Sequence, residues 1–225
     1  MRSFYRSFLV AILLLIGLSL SLGPAVAKAH PYGNVWLNDN EALVLNAVTE
    51  LFVNKNVDAV DQYWSPNYIQ RDPFLPNGTA PLKNFTALSS FTYETGFIVS
   101  NGPVVAIRSR ITPVNRTGNI SLVVDIYRVQ GNKIVEHWSV AQDEVPVNRT
   151  VSGLPMFDPQ EHHSYNLSQC WNEGEETRNM LQARWGLHKL FNMGDLAFFD
   201  RFWDRAYLQH NPGVASGSDQ LRPNV

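Results

Sequence analysis

The sequence predicts an α+β fold: helices first, then a curved antiparallel sheet packed on them, then a helical partial repeat of the opening. Three observations predict it. Leu43, Val44, Ala47, Val48, Leu51 and Phe52 recur with the period of one helical face. From Phe91 to Glu144 the pattern changes to short runs rich in Val, Ile, Thr and aromatics, divided by turn signals. The opening is also written twice at a constant offset of 139. Leu51, Phe52, Asp61, Trp64, Tyr68, Gln70, Pro73, Gly78 and Leu82 meet Leu190, Phe191, Asp200, Trp203, Tyr207, Gln209, Pro212, Gly217 and Leu221.

Ahead of the fold, Arg2 and Arg6 precede an almost unbroken apolar run, Phe8 to Leu22. Small residues then lead to Ala27 and Ala29, so residues 1–29 read as a secretory signal peptide cleaved after one of the two. The run is shorter than the roughly 20 residues of a spanning helix, and no membrane association is expected after processing. Six sequons, at Asn77, Asn84, Asn115, Asn119, Asn148 and Asn166, fit a secreted glycoprotein with those asparagines on the surface. Cys170 is the only cysteine, so no internal disulfide is expected; it reads as a small buried apolar residue, with an intermolecular bridge as the alternative. A net charge of −2 without a basic stripe argues against nucleic acid as a partner.

The first unit is expected over residues 38–145. A helix capped at Asn38, Asp39 or Asn40 ends at Asn54 to Asn56, and a short helix runs from Val57 to Trp64, closed by Pro66. The phrase YIQRDPFLPNG, Tyr68 to Gly78, reads as a loop, with a third helix from Pro81 to Ser90. Strands are expected over 91–99, 104–112, 120–130 and 133–144. Residues 146–174 read as a linker. Helices over 175–192 and 195–203 then rebuild the opening, and the sequence stops at Val225, before a second set of strands. Residues 175–225 are thus expected to be a truncated second unit.

Asp125 lies inside the apolar run LVVDIYRV, where a charge is costly unless it meets a cavity or a partner. On the following strand His137 and Ser139 share one face, Glu136 and Trp138 the other. A tight two-residue turn at Gly131 and Asn132 would set Asp125 opposite Trp138; a three-residue turn with a bulge would set it opposite His137. Trp64, Tyr68, Phe74, Phe91, Tyr127 and Trp138 are the candidate pocket aromatics, and Arg71 with Asp72 reads as a surface ion pair. No metal site is expected. His162 and His163 are adjacent rather than a helical turn apart, and His30, were it N-terminal after cleavage, lacks a paired histidine.

The first unit resembles the SnoaL-like polyketide cyclase family of the NTF2-like superfamily. YIQRDP (68–73), after a helical hairpin, and VVDIYRVQGNKIVEHWSV (123–140), across the last hairpin, carry the resemblance, and YLQHNP (207–212) is a second form of the loop phrase. The resemblance implies a cone in which a bent sheet wraps around helices and leaves an apolar pocket. It also implies a small apolar or polyketide-like ligand, and aldol ring closure with no metal or cofactor. Such chemistry needs a base for a carbon-bound proton and a donor for the enolate. The family's acid–base residues fall at the Asp125 and Ser139 positions. Its aspartate of HWD stands here as Ser139 and its histidine as Asp125, so the mechanism does not transfer intact. Two readings stay open: an Asp125–His137 pair that abstracts protons as a cyclase or isomerase, or a satisfied buried hydrogen bond in a non-catalytic binding protein. A homodimer through the outer sheet face is a third option, favoured if aromatics stand at outward positions of the strands over 104–112 and 120–130.

Overall fold

The computed structural model describes residues 37–114, 118–158 and 173–221. The signal peptide, His30, Asn115, His162, His163, Asn166 and Cys170 lie outside the described residues.

Helix α1, Asp39–Val48, runs on without a break into a wider π-helical turn, Thr49–Val53. Glu50 fastens the reversal that follows: its carboxylate accepts from Asn54 Nδ2 at 3.1 Å and Asn56 Nδ2 at 3.3 Å. The inner face of this helix, Val44, Ala47, Val48 and Leu51, is fully buried, as its period predicts. A short α2, Ala59–Tyr63, leads directly into strand β1, Trp64–Gln70.

That strand corrects the sequence reading, which carried the helix to Trp64 and began a loop at Tyr68. Pro66 and Asn67 are turn signals locally. They are tolerated because β1 is an edge strand, whose outward N–H groups need no partner. What makes it a strand is remote pairing: Trp64 lies beside Ile134, Ile69 beside Glu136 and Gln70 beside His137, parallel to the last strand.

After α3, Thr79–Leu88, come β2, Phe91–Asn101, β3, Val104–Pro113, β4, Ser121–Gln130, and β5, Lys133–Asp143. The sheet order is β1-β5-β4-β3-β2, with the last four strands antiparallel. Bulges between Thr95 and Ile98 in β2 and next to Arg128–Val129 in the β4–β5 pair add local twist and bend. Inward side chains from Tyr93, Val105, Ile107, Val123 and Tyr127 are buried on the α1 side of the sheet.

The other face is partly covered by the chain after β5. Met156 and Phe157 are buried against Leu122 and Val145, and Arg108 Nη2 donates to the Met156 carbonyl. The beginning of the expected linker is therefore a packed strap. The outward residues of β3 and β4 include Ala106, Arg108, Arg110, Val124, Ile126 and Arg128, and none of these is aromatic. The side chains that would have favoured a sheet-to-sheet dimer are not at those positions.

Beyond the strap, α4, Glu173–Leu187, continues as a π-helical turn, His188–Asn192, followed by α5, Leu196–Phe202, and the single turn α6, Ser218–Leu221. Leu190 and Phe199 are fully buried, while Trp185, Leu187, Phe191 and Leu208 are each more than half exposed.

Candidate functional site

The site is set by how β4 and β5 are counted against each other. Gly131 and Asn132 form a tight hairpin turn, with φ of 58° and 57°, and Gln130 pairs with Lys133. Val129 pairs with Ile134, but Arg128 pairs with Glu136, which leaves Val135 as one extra residue. Asp125 consequently lies opposite Ser139, and Tyr127 opposite His137. The turn is the two-residue one, yet the bulge after it delivers Asp125, Tyr127, His137 and Ser139 to the same inner face. Trp138 pairs with Ile126 on the outer face and is not a pocket residue, a correction that follows from the same bulge.

These residues line a cavity of about 230 Å³ together with Trp64, Tyr68, Gln70, Asp72 and Tyr93. Phe52, Leu82, Phe85, Phe91, Ile111 and Val123 supply its apolar wall. No lysine or arginine stands among the lining residues. Phe74, expected at the pocket, is 92% exposed. Its backbone N–H donates to Asp72 Oδ1 at 2.7 Å, a local turn that sends the ring outward and leaves Leu75 at the wall.

A buried relay crosses the inner face. His137 Nε2 is 2.9 Å from Asp125 Oδ1, and His137 Nδ1 is 2.8 Å from Gln70 Oε1. The Gln70 oxygen also accepts from the Asp72 backbone N–H at 3.0 Å. Tyr93 donates to Asp125 Oδ2 at 3.1 Å, and Ser109 donates to the Tyr93 hydroxyl at 2.7 Å. An amide oxygen only accepts, so His137 Nδ1 carries a proton. Nε2 and Asp125 Oδ1 then share one further proton, as imidazolium with carboxylate or as imidazole with carboxylic acid. Tyr127 stacks on the His137 ring at 4.7 Å and fixes its plane.

A second couple sits beside the relay. Ser139 Oγ donates to Asp72 Oδ2 at 2.6 Å. Arg71 does not pair with Asp72, as the sequence suggested. In the extended chain neighbouring residues point to opposite sides, and Arg71 Nε meets Glu136 Oε1 at 2.8 Å while Arg128 Nη2 meets Glu136 Oε2 at 2.6 Å. The Arg128 hydrogen bonds, then that of Arg71, hold the Glu136 carboxyl below its ordinary range.

Two phenols complete the wall. Burial, with the nearby Asp125 second, pushes the Tyr68 and Tyr127 hydroxyls above the ordinary phenol range, so both stay neutral donors. The Trp64 indole N–H meets no acceptor in hydrogen-bond geometry among the described residues. The structure thus brings together Asp125, His137, Ser139, Trp64, Tyr68, Phe91 and Tyr127, and adds Gln70, Asp72 and Tyr93, which the sequence reading passed over. Gln70 carried one usable signal, its repetition as Gln209. Of the sequon asparagines, Asn77, Asn84, Asn119 and Asn148 are exposed.

Residues 45–137 match the family model of the SnoaL-like domain. Among solved structures, an NTF2-like protein of unknown function from Cytophaga hutchinsonii is 16% identical, with a TM-score of 0.42 over 47% of this chain and 92% of that one. A candidate polyketide cyclase from Acidithiobacillus ferrooxidans is 17% identical, with a TM-score of 0.42 over 47% of this chain and 89% of its own. IdmH, a candidate polyketide cyclase from Streptomyces antibioticus, is 17% identical, with a TM-score of 0.40 over 47% and 93%. No curated protein matches the sequence.

Proposed function

We propose that the cavity binds a small, uncharged, largely apolar molecule and promotes proton transfer at one of its carbons, as a cyclase or isomerase. The observation that carries this reading is the wall itself. Carboxyl groups, an imidazole and two neutral phenols converge on an apolar space, which is the combination that enolate chemistry requires. A volume of about 230 Å³ suits a molecule of one or two rings, below the roughly 300–1,000 Å³ of drug-sized clefts. Carboxyl groups without a cationic neighbour in the lining disfavour an anionic ligand. The test is mass spectrometry of small molecules that co-purify with the protein, on wild type and on Asp125→Asn. A neutral compound retained by the first is expected; an empty cavity in both would count against a ligand altogether. A second reading, a non-catalytic binder, is favoured by one feature: the polar atoms of Asp125 and His137 are already engaged inside the protein.

We further read the chain as a secreted glycoprotein, on the strength of residues 1–29 and the sequons. A mass loss on enzymatic deglycosylation of the secreted product tests it.

We also infer that residues 175–221 are a partial second copy of the first unit. The support is conformational as well as textual. The π-helical turns Thr49–Val53 and His188–Asn192 stand 139 residues apart. Gln70 N donates to Asn77 Oδ1 at 2.8 Å, and Gln209 N to Ser216 Oγ at 3.2 Å. Asp72 N donates to Gln70 Oε1 at 3.0 Å, and Asn211 N to Gln209 Oε1 at 2.9 Å. Gly78 and Gly217 adopt φ of 98° and 97°.

A further inference from the structure

We propose that Asp72, seated by Ser139, is the base that takes the carbon-bound proton, and that Asp125 with His137 is a positioning device. The inference rests on the proton-transfer reading above and names its reacting group. Asp125 is poorly placed to act. Its Oδ1 shares a proton with His137 Nε2, and its Oδ2 accepts from Tyr93, whose hydroxyl is itself fixed by Ser109. His137 is closed on the other side by Gln70. Each Asp125 oxygen keeps one lone pair, but its carboxyl already holds a share in the His137 proton and so has less negative charge to offer a ligand than a carboxylate that shares none.

Asp72 differs on each count. It lines the same cavity and is only half-buried. Its two contacts, the Phe74 N–H on Oδ1 and the Ser139 hydroxyl on Oδ2, are both donors, and neither oxygen shares a proton with a histidine. A carboxylate oxygen has two lone-pair sites, so each retains one for a ligand. The neighbouring cation is turned away, since Arg71 binds Glu136. Ser139 is on β5 and Asp72 follows β1, so their hydrogen bond ties the loop carrying the base to the sheet carrying the relay. The relay reaches Asp72 as well, because the oxygen of Gln70 that holds His137 also accepts the Asp72 backbone N–H.

In the proposed step the Asp72 carboxylate removes a proton from a carbon next to a carbonyl. The C–H electron pair becomes the new carbon–carbon π bond, and the carbonyl π pair moves onto oxygen. A Tyr68 or Tyr127 hydroxyl donates a hydrogen bond to that oxygen, and the Asp72 carboxylic acid then returns the proton to a second carbon or to the oxygen.

The probe is 5-nitrobenzisoxazole, a neutral two-ring carbon acid. A base removes its ring C–H proton, the electron pair forms a nitrile, and the N–O bond breaks to give a coloured cyanonitrophenolate. Wild-type protein should bind the probe with saturation and turn it over, with kcat/KM falling on acidification as a base is protonated. Asp72→Asn should lose about 100-fold or more in kcat while still binding the probe, in line with typical general-base contributions. Asp72→Glu should restore part of the loss, which guards against a folding artefact. Asp125→Asn should weaken turnover yet keep the acid limb of the pH profile. Turnover by Asp72→Asn at the wild-type rate, or a pH limb lost only in Asp125→Asn, would overturn the assignment to Asp72. Binding without any turnover in wild type would also overturn it, and no binding at all would instead sink the pocket reading on which it rests.

Discussion

The Oε1 atom of Gln70 and the Nδ1 atom of His137, 67 residues apart in the chain, stand 2.8 Å apart in the fold. Their hydrogen bond fixes which histidine nitrogen carries the unshared proton, and the same oxygen holds the Asp72 backbone. Replacing Gln70 by Leu should strand a buried imidazole N–H and loosen the Asp72 turn. The expected cost is about 1–3 kcal/mol in urea unfolding, typical of a buried donor left without an acceptor. Nitrogen NMR should show a changed signal at His137 Nδ1, whose proton has lost its acceptor. An unchanged ring spectrum would mean that Gln70 is only a spacer.

The two phenols give the protein an alkaline limit. In the folded state both hydroxyls keep their protons to a higher pH than the ordinary phenol near 10, whereas the unfolded chain loses them there. The native state therefore binds more protons above that pH, and stability must fall as pH rises further. Tyr68→Phe and Tyr127→Phe should each flatten the decline above about pH 10, read from denaturant midpoints. A decline of unchanged slope in both variants would place its origin elsewhere.

On the outer face the sign is reversed. Arg128 and Arg71 hold the Glu136 carboxyl below its unfolded value, so their contribution is complete above the usual glutamate range and fades as pH falls through the lowered one. Glu136→Gln should lose stability near neutral pH and lose less than wild type on acidification. Parallel curves for the two proteins between about pH 3 and 6 would contradict this.

Gly78 and Gly217 have nearly the same positive φ, 98° and 97°, in a region that side chains avoid. A Cβ on Gly78 would meet nothing within 4 Å, so the cost of Gly78→Ala should be conformational, about 1–2 kcal/mol. Gly217→Ala should cost a similar amount, with the loss of hydrogen-exchange protection confined to the neighbourhood of residues 205–221. Equal protection before and after that substitution would argue that the second loop owes nothing to the geometry of the first.

Gly186 stands 139 residues after Ala47, and contact is the reason it has no side chain. A Cβ would come within 2.9 Å of the Trp203 ring. Gly186→Ala gains helix propensity, roughly 1 kcal/mol. It should nevertheless loosen the α4–α5 pair, seen as faster exchange over 173–202 alone.

The sequence made much of this legible through period and punctuation. The buried face of α1, the four antiparallel strands and the helices α4 and α5 all follow from local patterns, because each element carries its own apolar face. Strand β1 does not, since its strand character comes from β5, some 70 residues away, and overrides Pro66. Asp125 and His137 were visible as polar residues in an apolar hairpin. Asp72 was hidden: beside Arg71 it looks like half of an ion pair, and only a fold that sends the two side chains to opposite faces separates them. Ser139 meets the Asp72 carboxylate from 67 residues upstream, a pairing in space that no reading along the chain exposes.

The extra residue at Val135 means that the identity of the inner surface is encoded by parity. A ladder that absorbed Val135 as a paired residue, with no bulge, would change no chemical group in the chain. It would turn the rest of β5 over relative to its neighbour, so that Trp138 rather than Ser139 answered Asp125, and the Glu136 clasp would lose its arginines. Deleting Val135 would do the opposite, removing the bulge and leaving every later pairing, and with it the inner surface, as it is.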